Sequence, residues 1–313
     1  MKLYIKANSL KILKNLDTIL PYATSKTNQL LDTNSNQEYL SNIKSAKEIQ
    51  KYQKTYFYDT RELKQLIKGV YFGNSYCEHL LPAIKEIAEA KAFCENRHFN
   101  FVFVFAPMSQ SKTKEVEYIC ETLSQKPNSE VVINDFGTLY NVLKYKNLKP
   151  ILGLNFTKTI KNAFLDSIKQ NDISSTQLQN QKRLLSHIEF ENKSVREFYT
   201  SLNIRRFAIE NIALSLDFLD EAPKMYVDFY YPNITISNSR ACDIAGMFED
   251  KRRYFAYDEC PKYCNFASLE FEHSDVLGLY QRYTTIYKID FNLNIPKIVY
   301  KNPKNRFVWE IFV

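Results

Sequence analysis

Residues 101–123 read FVFVFAPMSQSKTKEVEYICETL. The first seven are an apolar run ended by Pro107, the pattern of a buried strand. A short polar loop follows. Then Val116, Ile119, Cys120 and Leu123 fall at i, i+3, i+4 and i+7, which is one face of a helix. The same unit recurs along the chain. EVVIND (130–135) reads as the next strand and FGTLYNVLKYKN (136–147) as the next helix, with Asn147 as its expected C-cap.

KPILGLN (149–155), RRFAIEN (205–211) and KMYVDFYYP (224–232) continue the strand series, and SVREFYTSLN (194–203) opens as a helix on a Ser194/Glu197 capping box. Before residue 101, KLYIKA (2–7), KTYFYD (54–59) and GVYFGN (69–74) read as strands, with helices expected near 60–68 and 79–94. Strands alternating with helices at this spacing specify a parallel sheet. About eight such units make a (β/α)₈ TIM-barrel-like single domain over 1–313, possible distortions included. An open doubly wound sheet is the alternative, weakened by the absence of a Gly-rich phosphate loop after an early strand. Two segments break the rhythm. Residues 160–193 read as a helical insertion, and residues 285–313 as a C-terminal extension forming a terminal hairpin.

The chain has 313 residues, 45% of them apolar and 25% charged, the balance of an ordinary globular protein. Its net charge of +7 is spread among interspersed acidic and basic residues. That allows RNA binding without indicating it, and no basic face points to DNA. The first twenty residues carry a lysine every few positions and no apolar core, so no secretory signal is read, and no apolar run spans a bilayer. The expectation is a cytoplasmic protein with reduced thiols, in which six cysteines do not imply disulfides.

The cysteines sort into two groups. Cys120 lies on the apolar face of its helix and Cys94 beside Phe93 at a helix end, both as small buried hydrophobes. Cys77 follows an expected strand in YFGNSYCEHLLP, Cys242 stands in NSRACD, and Cys260 and Cys264 share YDECPKYCNF (257–266). Loops after barrel strands gather on one face, so these four can meet there. If 260–264 were helical, with Pro261 in the first turn, both sulfurs would project from one side. Four such thiolates suit a soft metal. A structural zinc more often uses two close Cys pairs, whereas an iron–sulfur cluster accepts scattered ligands, and plain free thiols are a third reading. Arg240, Arg252 and Arg253 flank the set and could offset its charge.

VYFGNSYCEHLLP (70–82), EVVINDFGTLYNVLKYKNLKPILGLNFTKT (130–159), NIRRFAIENIALS (203–215) and SRACD with DECPKYC (239–243, 258–264) occur in the order and style of a known family. Over about residues 66–270 the chain resembles the collagenase-like peptidase family (U-32), nearest to its short UbiV type. The resemblance implies that Cys77, Cys242, Cys260 and Cys264 ligate a [4Fe–4S] cluster in a barrel-like α/β fold, one that aerobic preparation can strip. It also implies an oxygen-independent hydroxylation system, acting on a quinone precursor or on RNA bases, with a related family subunit as a possible heterodimer partner. Two features depart from the pattern: Ala241 separates Arg240 from Cys242, and the gap from Cys242 to Cys260 is long. No G-x-S-x-G or H-E-x-x-H motif supports peptidase activity.

No catalytic residue is fixed by the sequence. His79 is two positions beyond Cys77, Asp135 ends an expected strand on the functional face of a barrel, and Glu210 ends another. Each has a structural alternative, such as Asp135 capping the helix that follows it.

Overall fold

A computed structural model describes residues 1–19, 66–157, 159, 174–212, 214–248, 260, 262–265, 267–271, 279–290 and 295–310. The strands are β1 (Lys2–Ala7), β2 (Ile67–Phe72), β3 (Asn100–Val104), β4 (Ser129–Ile133), β5 (Leu148–Leu152), β6 (Arg206–Ile209), β7 (Tyr226–Tyr231), β8 (Asn233–Asn238), β9 (Leu269–Glu270), β10 (Leu279–Arg282), β11 (Thr285–Ile289) and β12 (Arg306–Glu310). Eight of them close into a barrel in the order β1-β12-β7-β6-β5-β4-β3-β2, every neighbouring pair parallel. The chain is therefore an α/β barrel of the (β/α)₈ kind, and the open sheet is ruled out. The other four strands form an antiparallel sheet, β8-β11-β10-β9, inserted between β7 and β12.

The alternation of each strand explains the two layers. In β1, Leu3, Ile5 and Ala7 join the outer core beneath the helices, while Tyr4 packs inward with Tyr71, Val102, Val132, Ile151, Tyr230 and Val308. Gly69 faces the ring of Tyr4: a Cβ there would stand 2.3 Å from Tyr4 Cε1 and 2.5 Å from the carbonyl oxygen of Asn100. The inner layer is also charged. Arg306 holds Glu130 through two 2.8 Å contacts and lies over the Tyr4 ring, and Arg206 holds the buried Asp228 at 2.7 Å.

The outer helices are α1 (Leu10–Lys14), α2 (Ile84–Asn96), α3 (Thr113–Ser124), α4 (Phe136–Leu143), α5 (Ser175–Leu185), α6 (Lys193–Ser201) and α7 (Phe218–Glu221); α8 (Asp243–Phe248) lies in the insert and α9 (Lys297–Lys301) leads into β12. In α3 the expected face, Val116, Ile119, Cys120 and Leu123, is the buried one. Cys94 and Cys120 lie in the outer core. None of the described helices is long and apolar enough to cross a membrane.

Several local expectations change. Helix α4 ends at Leu143, so Asn147 is not its cap; the Asn147 amide instead donates to the Ser124 carbonyl at 2.8 Å. Helix α6 is capped by Asn192, whose side chain accepts the N–H of Ser194, in place of the expected capping box. The helix expected from residue 79 begins at Ile84, after a 3₁₀ turn over Glu78–Leu80. Of the expected 160–193 insertion, 175–185 is α5; residues 160–173 lie outside the described residues, as do 54–59 and most of 60–68. The expected terminal hairpin is divided. Residues 285–289 pair with β10 and β8 in the inserted sheet, whereas 306–310 are the eighth barrel strand, between β1 and β7. Arg306 and Glu310 in RFVWE face a charged interior, and that removes the apolar signature of a buried strand.

Candidate functional site

The loop after β2 is shaped by its backbone. Gly73 adopts φ +125°, and a Cβ there would stand 2.3 Å from the Val104 carbonyl oxygen. The side chain of buried Asn74 then accepts the N–H groups of both Tyr76 and Cys77, each at 2.8 Å. This closes a tight turn that holds Cys77 at the C-terminal mouth of the barrel, 6% exposed.

The inserted sheet lies across that mouth and brings the other thiols. Cys242 stands just before α8, where its Sγ accepts the N–H of Ala245 at 3.4 Å. The stretch 260–264 does not take the helical form that would have set its two sulfurs at i and i+4. Lys262 takes φ +60°, its N–H reaches Cys260 Sγ at 3.4 Å, and only Tyr263–Asn265 forms a 3₁₀ turn. A left-handed residue, instead of an i, i+4 step, lies between the two cysteines, and both line the same recess; Pro261 lies outside the described residues. The β10–β11 turn completes the arrangement. Tyr283 takes φ +61°, Thr284 donates to the Tyr76 carbonyl at 3.4 Å, and Asn8 at the end of β1 donates to the Tyr283 hydroxyl at 3.2 Å.

The result is one recess lined by Cys77, Cys242, Cys260 and Cys264 together with His79, Arg240 and Tyr283. The room inside it is small, about 30 Å³. Cys77 and Cys264 also pack with Ile244 and Tyr283 in a small apolar cluster, against which Cys242 rests. All six cysteines are free thiols. Burial first, and then the charge of Cys264, push the Cys77 thiol up to about 12; burial, with Cys242 and Cys260 adding to it, does the same to Cys264. Cys242 is raised as well, by burial first. The thiolates of Cys77, Cys242 and Cys264 are thus disfavoured by their surroundings and by their neighbours, and a bound cation would relieve both.

Arg282 donates from Nε to the Cys264 carbonyl at 3.4 Å and favours the Cys264 thiolate. Only its charge beside a turn could have marked it in the sequence. Arg240 lines the recess, whereas Arg252 and Arg253 lie outside the described residues. Of the candidate catalytic groups, His79 alone reaches the recess. Asp135 is occupied as a cap: it accepts from the Thr138 N–H and hydroxyl at 2.7 Å each and from the Met108 N–H at 3.0 Å. Glu210 is buried and accepts the N–H of Thr235 at 2.8 Å.

As a donor set the recess offers four sulfurs and no carboxylate. Among the described residues, no group of three or more His, Cys, Asp and Glu side chains is gathered so as to hold a metal ion. A single tetrahedral zinc draws its sulfurs to about 3.8 Å from each other, given Zn–S bonds of about 2.3 Å. A four-iron cubane takes one thiolate at each of four corners. No family model, no curated protein and no solved structure matches this chain.

Proposed function

We propose that Cys77, Cys242, Cys260 and Cys264 hold a [4Fe–4S] cluster and that the protein serves an oxygen-independent hydroxylation system. The observation that carries this reading is the convergence of four thiols, from the β2 loop and from two places in the inserted sheet region, on one recess beside Arg240 and Arg282. Such a cluster passes single electrons at a potential set by its ligands, their hydrogen bonds and burial. Arg240 and Arg282 offset the charge that four thiolates bring, and the apolar packing of Ile244 and Tyr283 limits water on one side.

The resemblance to the collagenase-like peptidase family supplies the reaction class. Converting C–H to C–OH without dioxygen removes two electrons from the substrate and takes oxygen from water or an oxygenated co-substrate. An electron acceptor, and in this family a related second subunit, then belong to the system. Protein purified without oxygen should contain about four irons and four sulfides per chain and be brown. One zinc with no iron would overturn the cluster. For the reaction class, an anaerobically grown strain lacking the gene should lose a hydroxylated ring product from its quinone pool; unchanged quinone and RNA-modification profiles would overturn that part.

A further inference from the structure

A second cavity lies on the outer side of the Cys77 loop, between that loop and the start of α3. Its volume is about 230 Å³, short of the roughly 300 Å³ at which drug-sized sites begin but enough for a single ring. Leu81, Ile84 and Ile119 give it an apolar floor, and Tyr118 stands 57% exposed at its edge. Its charges leave one carboxylate in excess. Lys112 and Glu115 pair at 3.1 Å, and Glu78 accepts the N–H of Ser109 at 2.6 Å. An anionic ligand would meet two carboxylates and one committed lysine, whereas an uncharged ring would cover the apolar floor, lie against Tyr118 and offer a hydroxyl to a carboxylate. His79 lines this groove and the thiol recess alike.

We propose that this groove binds a small, uncharged ring compound, with His79 as the wall it shares with the four-thiol recess. Binding stands on the groove's own shape and charge; only its role as the substrate site rests on the cluster reading.

The test uses the full chain and p-cresol, with p-toluate as an anionic probe of the same shape, followed by saturation-transfer NMR. p-Cresol should bind, and p-toluate should bind at least fivefold more weakly. Tyr118 and Ala83 are exposed, so Tyr118→Ala and the groove-filling Ala83→Trp should fold with unchanged melting curves. Both should lower the p-cresol signal at least fivefold. Equal signals in wild type and Ala83→Trp, or p-toluate binding as well as p-cresol, would overturn the proposal. In protein loaded with iron and sulfide, p-cresol should also shift the electron paramagnetic resonance of the reduced centre. Binding with no such shift would sink the shared-wall role of His79 and leave the groove. A chain that takes up no iron would overturn the cluster and leave the binding arm standing.

Discussion

Lys6 at the end of β1 and Glu310 at the end of β12 meet inside the barrel mouth, Nζ to Oε1 at 3.2 Å, both buried. Lys6 also donates to Ser75 at 2.5 Å and sits between the rings of Tyr76 and Tyr230. Ser75 belongs to the turn that carries Cys77, so the pair underpins the thiol site from below. Burial holds the Lys6 ammonium below its ordinary range, and Glu310 opposes that shift. Glu310→Gln leaves the cation buried without its counter-charge and should cost roughly 3–5 kcal/mol. Lys6→Met combined with Glu310→Gln should recover most of it. Urea unfolding of the two variants checks this, and a double variant no better than the single one would refute it.

The tyrosines around that pair make an alkaline limit. Tyr76, Tyr230, Tyr280 and Tyr287 are all held well above their ordinary value of 10.0, chiefly by burial. A raised folded-state pKa contributes stability that is fully present below pH 10 and is lost as pH climbs beyond it. Phenolate absorbance should therefore lag behind that of free tyrosine above pH 10 and then rise together with loss of circular dichroism. Smooth titration near pH 10 in the folded protein would contradict this.

In metal-free protein the thiols should be sluggish. A shift from 9.0 to about 12 lowers the thiolate fraction of Cys77 and Cys264 at pH 8 by roughly a thousandfold. Alkylation followed by peptide mass spectrometry should show both reacting at least a hundredfold more slowly than unfolded chain. The same shift predicts that metal loading releases protons and strengthens as pH rises from 6 to 8. Loading independent of pH would count against thiolate ligation.

Gly73→Ala places a Cβ against the Val104 carbonyl at a φ that side chains rarely adopt. The cost should be about 1–3 kcal/mol, concentrated in the turn that carries Cys77. Iron content after anaerobic purification should drop further than the melting temperature does. A variant that loses neither would show that this turn is not what positions Cys77.

The barrel was legible where strands are apolar and helices amphipathic, as in β3, α3, β4 and α4. It was not legible in β12, because inward Arg306 and Glu310 answer Glu130 and Lys6, partners some 180 to 300 positions away in sequence. The set Cys77, Cys242, Cys260 and Cys264 could be named from loop position after strands. The turn between the last two could not, since Lys262 in a left-handed conformation has no sequence mark comparable to glycine. Asn74, which builds the Cys77 turn, and Thr284, which ties the inserted sheet to it, act through backbone groups and leave no periodic trace.

Lys2 pairs with Arg306 across the seam of the barrel. During synthesis at about 5–20 residues per second, β1 waits on the order of 15–60 s for that partner. Until then one side of β1 is a bare row of amide and carbonyl groups, open to pairing with another nascent chain. The seam that finishes the barrel is thus also the place where crowded polysomes would first join neighbouring chains, and slower initiation should raise the yield of soluble protein more than slower elongation does.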